Sequence, residues 1–207
     1  MLDAIKLPPA ELAAAIIAVS FAAGLNVYAT VATLGLLARA GWVPLPPALG
    51  LVESWWVIGA SGVLFLVEFF ADKVPAFDLL WNALQTFVRV PVAALLAYGA
   101  TAHLSPEKQL LATLLGGAIA LAAHGGKTAV RAAVTPSPEP FSNAALSLSE
   151  DAFAVFLTWF ATTHPYIAGA IELAFVIVIV MLVRVVVRAL RNLFHRAEGE
   201  LAHTGPA

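Results

Sequence analysis

Three basic side chains recur on one face of an apolar segment near the middle of the chain. His124, Lys127 and Arg131 follow one another at spacings of three and four residues, which places them on the same side of a helix. Their segment is so apolar that these groups are expected at or near membrane depth, where charges are expensive and usually functional. Such groups would hold an anion, with His124 relaying protons. The alternative is a plain helix end, with Lys127 and Arg131 at the cytoplasmic rim.

Two glycines between the first two of these side chains predict a break in the helix. Gly125 and Gly126 separate His124 from Lys127. An unwound segment inside a helix bundle exposes backbone groups to a cavity, an arrangement that transporters use for ion and solute sites. The break therefore favours a binding site over a simple membrane exit.

Polar side chains also form a stripe on the preceding apolar segment. Asp78, Asn82, Gln85 and Arg89 are spaced by four, three and four residues and so share one helix face. A stripe of this kind cannot face lipid, so it is expected to face protein or water. This is the clearest periodic signal in the chain.

Acidic residues near the end of an earlier helix complement these bases. Glu68 and Asp72 are four residues apart and are followed by Lys73, which favours an ion-paired cluster over a solvated helix end. Asn26 lies in the middle of a long apolar segment, where it either contributes to a site or joins neighbouring helices. The chain has no cysteine, and His124 has no second histidine at metal-ligand spacing. We therefore expect no metal, no cofactor and no enzymatic activity.

Composition defines the setting of these groups. Of the 207 residues, 61% are hydrophobic and 12% charged, and the mean hydropathy is +0.89. Soluble domains are about half apolar and about a quarter charged, so the sequence predicts an integral membrane protein. Because a helix needs about 20 residues to cross the hydrocarbon, the expected fold is an all-α bundle of about six membrane helices. Nucleic acid is not an expected partner; the lipid bilayer is, and a homo-oligomer is a further alternative.

The predicted elements form a single transmembrane domain, residues 1–196, followed by a disordered cytoplasmic tail, 197–207. The first helix is expected to run from Pro9 to Ala40, tilted or broken. A loop is expected from Thr135 to Glu150, with Ser149 capping the helix that begins at Asp151. As first-turn acids, Glu150 and Asp151 would have only a structural role.

A weak internal repeat suggests how the helices are arranged. Phe70–Pro75 aligns with Phe160–Pro165, and the halves 10–104 and 107–196 each read as three helices. Three crossings per half would make an inverted 3+3 repeat with both termini on one side. Arginines at 184, 188 and 191 place the C-terminus, and hence both termini, in the cytoplasm.

Four blocks of sequence combine polar residues with glycine or proline: Gly24–Tyr28, Glu68–Asp78, Ala123–Lys127 with Arg131, and Ser137–Asn143 with Glu150 and Asp151. Together they resemble the bacterial membrane family known as domain-of-unknown-function family 4126. The resemblance covers about residues 10–165 and implies a multi-pass protein of the bacterial inner membrane, but it brings no activity. It implies a shared site at Asn26, Glu68, Asp72, Lys73, Asp78, Lys127, Arg131, Asn143, Glu150 and Asp151.

The polar faces together predict a small transporter or channel with a charged internal site. Its solute would be anionic or phosphate-bearing, with coupling to a proton or cation. One alternative is a protein that binds or moves a phosphate-headed lipid. The other is a structural or assembly protein, in which the charges only pair with each other.

Overall fold

The computed structural model describes the backbone of residues 8–71, 75–134 and 140–203, and these residues form helices joined by short turns. Side chains are described for 8–71, 81–131, 144–185, 187–188 and 191. Five of the α-helices begin at a proline, which has no N–H to leave unpaired in the first turn. The helices are α1 (Pro9–Leu25), α2 (Val27–Arg39), a 3₁₀ helix (Pro47–Glu53), α3 (Trp55–Ala71), α4 (Pro75–Ala100), α5 (Pro106–Val134), α6 (Pro140–Thr163) and α7 (Pro165–His203).

Four helices in the described residues are long and apolar enough to cross a membrane. A fifth crossing results if the 3₁₀ helix and α3, which meet at 57°, count as one span. The outer faces of these helices expose Leu, Val, Ile and Phe side chains, while most of the buried polar side chains lie inside the bundle. This distribution, together with the composition, indicates a membrane protein. The expected number of about six crossings is not confirmed, because the first predicted helix is divided into two short ones.

The division between α1 and α2 lies at Asn26, whose backbone is extended (φ −150°, ψ 103°). Its amide N–H still bonds to the Ala22 carbonyl and completes α1. Its side-chain Oδ1 accepts a hydrogen bond from the Ala29 N–H at 2.9 Å and so caps α2. One residue therefore ends the first helix and starts the second.

The two short helices leave Asn26 in the same direction and form a V-shaped hairpin. Both arms pack along α6, and three contacts show which residues lie side by side: Asn26 with Asp151, Thr30 with Thr158, and Ala18 with Ala161. Since residues before and after Asn26 both contact later positions of α6, the chain turns back at Asn26. The beginning of α1 and the end of α2 therefore lie at the same end of the bundle, which we call the first end.

The hairpin packs among longer helices with clear directions. Ser20 and Gly24 of α1 lie beside Gly116 and Ala120 of α5, so these two helices are parallel. Likewise α1 is parallel to α7, because Ala14 packs against Gly169 and Phe21 against Phe175. The beginning of α1 and the C-terminal part of α7 consequently lie at opposite ends of the bundle. This arrangement differs from the expectation that both termini share one side.

Two sequence-based predictions about helix boundaries are wrong. First, α5 continues through Gly125 and Gly126 without a break; the modest cost of glycine in a helix is smaller than that of leaving backbone groups unpaired in an apolar bundle. Second, α6 begins at Pro140, and Ser149 is no N-cap, since its Oγ donates to the Ala145 carbonyl at 2.7 Å.

These boundaries also affect the predicted repeat and tail. The half 10–104 begins with a broken hairpin and the half 107–196 with an uninterrupted α5, so the inverted repeat is not confirmed. At the other end of the chain, α7 continues to His203, past the point where the disordered tail was expected to begin. The single-domain organisation stays a prediction.

Candidate functional site

Eight of the twelve predicted site residues meet around the tip of the α1–α2 hairpin. Seven are at most 4% exposed, and the Glu150 side chain is 10% exposed. They come from four different helices and from the break between α1 and α2. We call this group the tip cluster: Asn26, Glu68, Arg89, His124, Lys127, Arg131, Glu150 and Asp151.

The other four predicted residues lie outside the described parts. Asp72 and Lys73 fall between α3 and α4, in the segment that the structure does not describe. Asp78 and Asn143 belong to α4 and α6, but their side chains are not described. Of the α4 stripe, Asn82, Gln85 and Arg89 are buried inside the bundle, which confirms that this face contacts protein.

Arg89 of α4 contacts three other parts of the bundle. Its Nη2 forms an ion pair with Glu68 Oε1, and both side chains are fully buried. Its Nη1 donates to the Gly24 carbonyl at 3.1 Å and to His124 Nδ1 at 2.9 Å. The guanidinium thus joins α3, α5 and the hairpin tip through one planar group.

His124 of α5 is held as a neutral imidazole by its two partners. Arg89 has only donors, so Nδ1 must accept. The Asn82 carbonyl has only acceptor capacity, so Nε2, 3.0 Å away, must carry the hydrogen. The hydrogen-bond partners therefore define both the charge and the tautomer of this ring.

Lys127 of α5 lies between two carboxylates. Its Nζ is 3.5 Å from Glu68 Oε1 and 3.3 Å from Glu150 Oε2. The same ammonium donates to the Leu25 carbonyl at 3.2 Å. One cation therefore links α3, α6 and the last turn of α1.

Arg131 completes the cluster one turn further along α5. Its Nε and Nη2 donate to Glu150 Oε2 at 3.0 and 2.6 Å. Because α6 begins at Pro140, Glu150 is a mid-helix residue and not a first-turn acid. The structural role that the sequence offered for Glu150 is thus replaced by a place in the site.

Asn26 and Asp151 form the remaining link. Asn26 Nδ2 donates to Asp151 Oδ1 at 2.8 Å. The negative end of α1 presents the Gly24 and Leu25 carbonyls to cations, while the positive end of α2, at Asn26, faces this acid. The charges around the hairpin tip therefore match the dipoles of its two arms.

The charges of the tip cluster balance, but its hydrogen bonds are incomplete. Three cations and three acids are present, and His124 is neutral. In the described part of the chain, three polar atoms in or beside the cluster are buried without a hydrogen-bond partner: Glu68 Oε2, Arg89 Nε and Gln85 Oε1. Buried polar atoms are normally paired, so the site retains one donor and two acceptors for another group.

Two openings lie near the cluster. A cavity of about 650 Å³ at the first end is lined by both arms of the hairpin, from Glu11 to Ser20 on α1 and at Leu34 on α2. Ser20 is six residues before Asn26, or about 9 Å of helix. A second, apolar groove of about 390 Å³ runs between Phe65 and Phe69 of α3 and Val155 of α6, with Asp151 in its wall.

One buried acid was missed in the sequence. Glu172 of α7 is fully buried, and neither of its oxygens has a partner among the described residues. It has no polar neighbours at spacings of three or four residues on α7, so it belongs to no polar stripe. The sequence feature that marks Glu172 is that it is the only charged residue between Pro165 and Val183.

The family model described as "Domain of unknown function (DUF4126)" matches residues 13–185, which include every member of the tip cluster. No curated protein and no solved structure matches the chain. Since the match spans most of the sequence, the chain belongs to this family.

Proposed function

We propose that this member of the DUF4126 family is a small membrane transporter that moves an anionic solute together with a proton. The observation that carries the proposal is the position of Lys127, whose ammonium is shared by Glu68 and Glu150 at the tip of the hairpin. A solute bearing a phosphate or carboxylate group is the class that these cations would bind.

Charge balance explains why a proton and an anion would bind together. A proton on Glu68 or Glu150 would leave Lys127 with one counter-charge fewer in a buried site, where an uncompensated charge is costly. An entering anion restores the balance. Each ligand therefore raises the affinity of the site for the other, which is the thermodynamic requirement for coupled movement.

The incomplete hydrogen bonds support the same proposal. Arg89 Nε is a free donor in the described residues and would donate to an anion beside Glu68. A cluster that served packing alone would be expected to pair its buried polar atoms. Helices broken at mid-bundle, with their ends directed at charged groups, are also typical of transporter binding sites.

The first-end cavity extends toward the cluster along α1. Its lining on this helix ends at Ser20, about 9 Å of helix before Asn26. Movement of the hairpin would extend this cavity to the tip cluster. We further propose a bacterial inner-membrane location, in which the basic end of α7 lies in the cytoplasm and α1 begins on the opposite side.

Flux into proteoliposomes tests this proposal. Purified protein is reconstituted, an inward proton gradient is imposed, and uptake of labelled inorganic phosphate and of small carboxylates is measured. We expect uptake by the unmodified protein and at least a tenfold loss in Lys127→Met, with normal uptake in the exposed control Lys108→Met. Absence of gradient-driven uptake, or equal uptake in both variants, would reject the proposal.

A second candidate is the binding of a lipid with an anionic headgroup. The apolar groove between α3 and α6 favours it, since an acyl chain in this groove would bring its headgroup to the cluster beside Asp151. Mass spectrometry of the purified protein tests it. Phospholipid or polyprenyl phosphate that co-purifies with the unmodified protein and not with Val155→Trp supports this function.

A third candidate is a structural role, favoured by the ion pairs of all three cations of the cluster. In this case the ion pairs of the cluster only stabilise the packing of the hairpin against α3, α4, α5 and α6. Normal stability of Lys127→Met, combined with lost flux, would speak against it.

A further inference from the structure

Glu172 lies in the most apolar of the four long membrane spans found in the described residues, Pro165–Val185 of α7. It is the only charged residue between Pro165 and Val183 and is 0% exposed. Neither carboxyl oxygen has a hydrogen-bond partner in the part of the chain that the structure describes. An ionised carboxylate without partners is among the least favourable groups that a protein interior can hold. The side chain therefore requires a bound ligand that removes its charge.

The surroundings of Glu172 are apolar on the face that it shares. One turn before it, Gly169 packs against Ala14 of α1, and one turn after it, the Phe175 ring lies 6.0 Å from that of Phe21. Phe153 of α6 meets Phe175 edge-on. Glu172 consequently lies at the joint where α7 packs against the first arm of the hairpin.

Titratable groups on the neighbouring helices form no ion pair with Glu172 in the described part of the chain. Among described side chains, α5 and α6 contribute members of the tip cluster, each with partners there. Glu11 of α1 lines the first-end cavity. Within the described side chains, no cation lies within ion-pair distance of Glu172. The carboxyl is thus separate from the ionic network. The titratable groups on these elements are Glu11 on α1, Glu107, Lys108, His124, Lys127 and Arg131 on α5, Glu150 and Asp151 on α6, and His164 before α7.

The ligand that fits this site is a proton. A metal cation requires several oxygen or nitrogen ligands, and no group of three His, Cys, Asp or Glu residues comes together in the described part of the chain. A proton needs only the carboxylate itself. We propose that Glu172 is a proton-binding site in α7, distinct from the tip cluster.

Release of this proton would be linked to movement of α1. An ionised carboxylate without partners is unfavourable at the buried α1–α7 joint, so ionisation requires this joint to open and admit water. The same α1 presents the Gly24 and Leu25 carbonyls to Arg89 and Lys127. A role for Glu172 as a second site of the transported proton, besides Glu68 or Glu150, rests on the proposed function. The presence of a proton on Glu172 does not rest on it.

Infrared spectroscopy tests the site without any assay of transport. The unmodified protein, reconstituted in lipid at neutral pH, is expected to show the carbonyl stretch of a protonated carboxylic acid. Glu172→Gln should lose this band, while Glu107→Gln, at an exposed acid of α5, should keep it. Glu172→Met, of similar volume, should also lose it and provides the second variant. An identical acid band in the unmodified protein and in either Glu172 variant, or no such band at all, would overturn the proposal.

Flux measurements then separate the two proposals. Loss of proton-driven uptake in Glu172→Gln, with the solute still bound, supports a coupling role, whereas unchanged coupling overturns that role. An acid band assigned to Glu172 in a protein without any flux would reject the transport function and retain the proton site.

Discussion

The imidazole of His124 accepts a hydrogen bond from the Arg89 guanidinium, with Nδ1 and Nη1 2.9 Å apart. A cation that donates to a histidine excludes a proton on the same nitrogen. His124 therefore positions Arg89 and does not act as a base or a cation in this state of the protein. The proton relay expected for His124 from the sequence would require this bond to break first.

Replacement of His124 by Phe should destabilise the protein by about 1 to 3 kcal/mol, because the Asn82 carbonyl would lose its donor and Arg89 an acceptor. Thermal unfolding in detergent measures the effect. His103→Phe, at an exposed position, serves as the control and should unfold at the temperature of the unmodified protein. Equal stability of the two variants would contradict the assigned role.

Removal of the Glu68 charge should lower the free energy of unfolding more than the His124→Phe substitution does. Glu68→Gln leaves Arg89 and Lys127 with one counter-charge fewer, and such a loss from a buried pair costs about 3 to 5 kcal/mol. The double variant Glu68→Gln with Arg89→Gln removes both charges and should be more stable than Glu68→Gln alone. Chemical unfolding of the two single variants and the double variant measures this coupling, and strict additivity would show that the ion pair contributes nothing.

Asn26 and Asp151 should tolerate exchange of their side chains better than either single change. Asn26→Asp keeps an oxygen for the Ala29 N–H but faces Asp151 with a like charge. Asp151→Asn added to this variant restores one amide and one carboxylate, in reversed positions. We expect recovery of at least half of the lost stability in the double variant, measured by thermal unfolding. No recovery would mean that the direction of the bond matters more than its presence.

Gly24 should not accept a methyl group. A Cβ at this position would lie 2.5 Å from the Ala120 carbonyl oxygen, so α1 and α5 would have to separate. Gly24→Ala should therefore destabilise the protein by about 1 to 3 kcal/mol. Gly125→Ala is the matched control, because no atom lies within 4 Å of its added Cβ, and it should gain up to about 1 kcal/mol in helix stability. Denaturant unfolding measures the free energy of unfolding of both variants. A Gly24→Ala variant as stable as the unmodified protein would contradict the close α1–α5 contact.

The hairpin predicts a specific membrane topology. Because the chain has no cysteine, single cysteines can be introduced at the exposed positions Ala10, Ala40, Glu107 and Arg191. A membrane-impermeant maleimide is applied to sealed right-side-out vesicles. The cysteines at the first three positions should all be labelled or all be protected, and the cysteine at position 191 should show the opposite result. Opposite labelling at Ala10 and Ala40 would show that α1 and α2 cross the membrane as one span.

The sequence by itself determined which faces of the helices are polar. Spacings of three and four residues reflect the local geometry of one helix, so the alignment of His124, Lys127 and Arg131 could be predicted from the chain alone. The apolar composition determined that these faces would be turned inward. Family membership was also visible in short blocks of sequence, and the matched region confirms it.

Tertiary structure decided the rest. Whether the chain continues or turns back at Asn26 depends on the helices that receive the two arms, since an extended residue permits many directions. The continuity of α5 through two glycines and the early start of α6 likewise depend on packing that outweighs local propensity. Partners such as Asn26 and Asp151, or Lys127 and Glu150, are joined through space. No periodicity within one helix specifies which distant side chain will neutralise its charge.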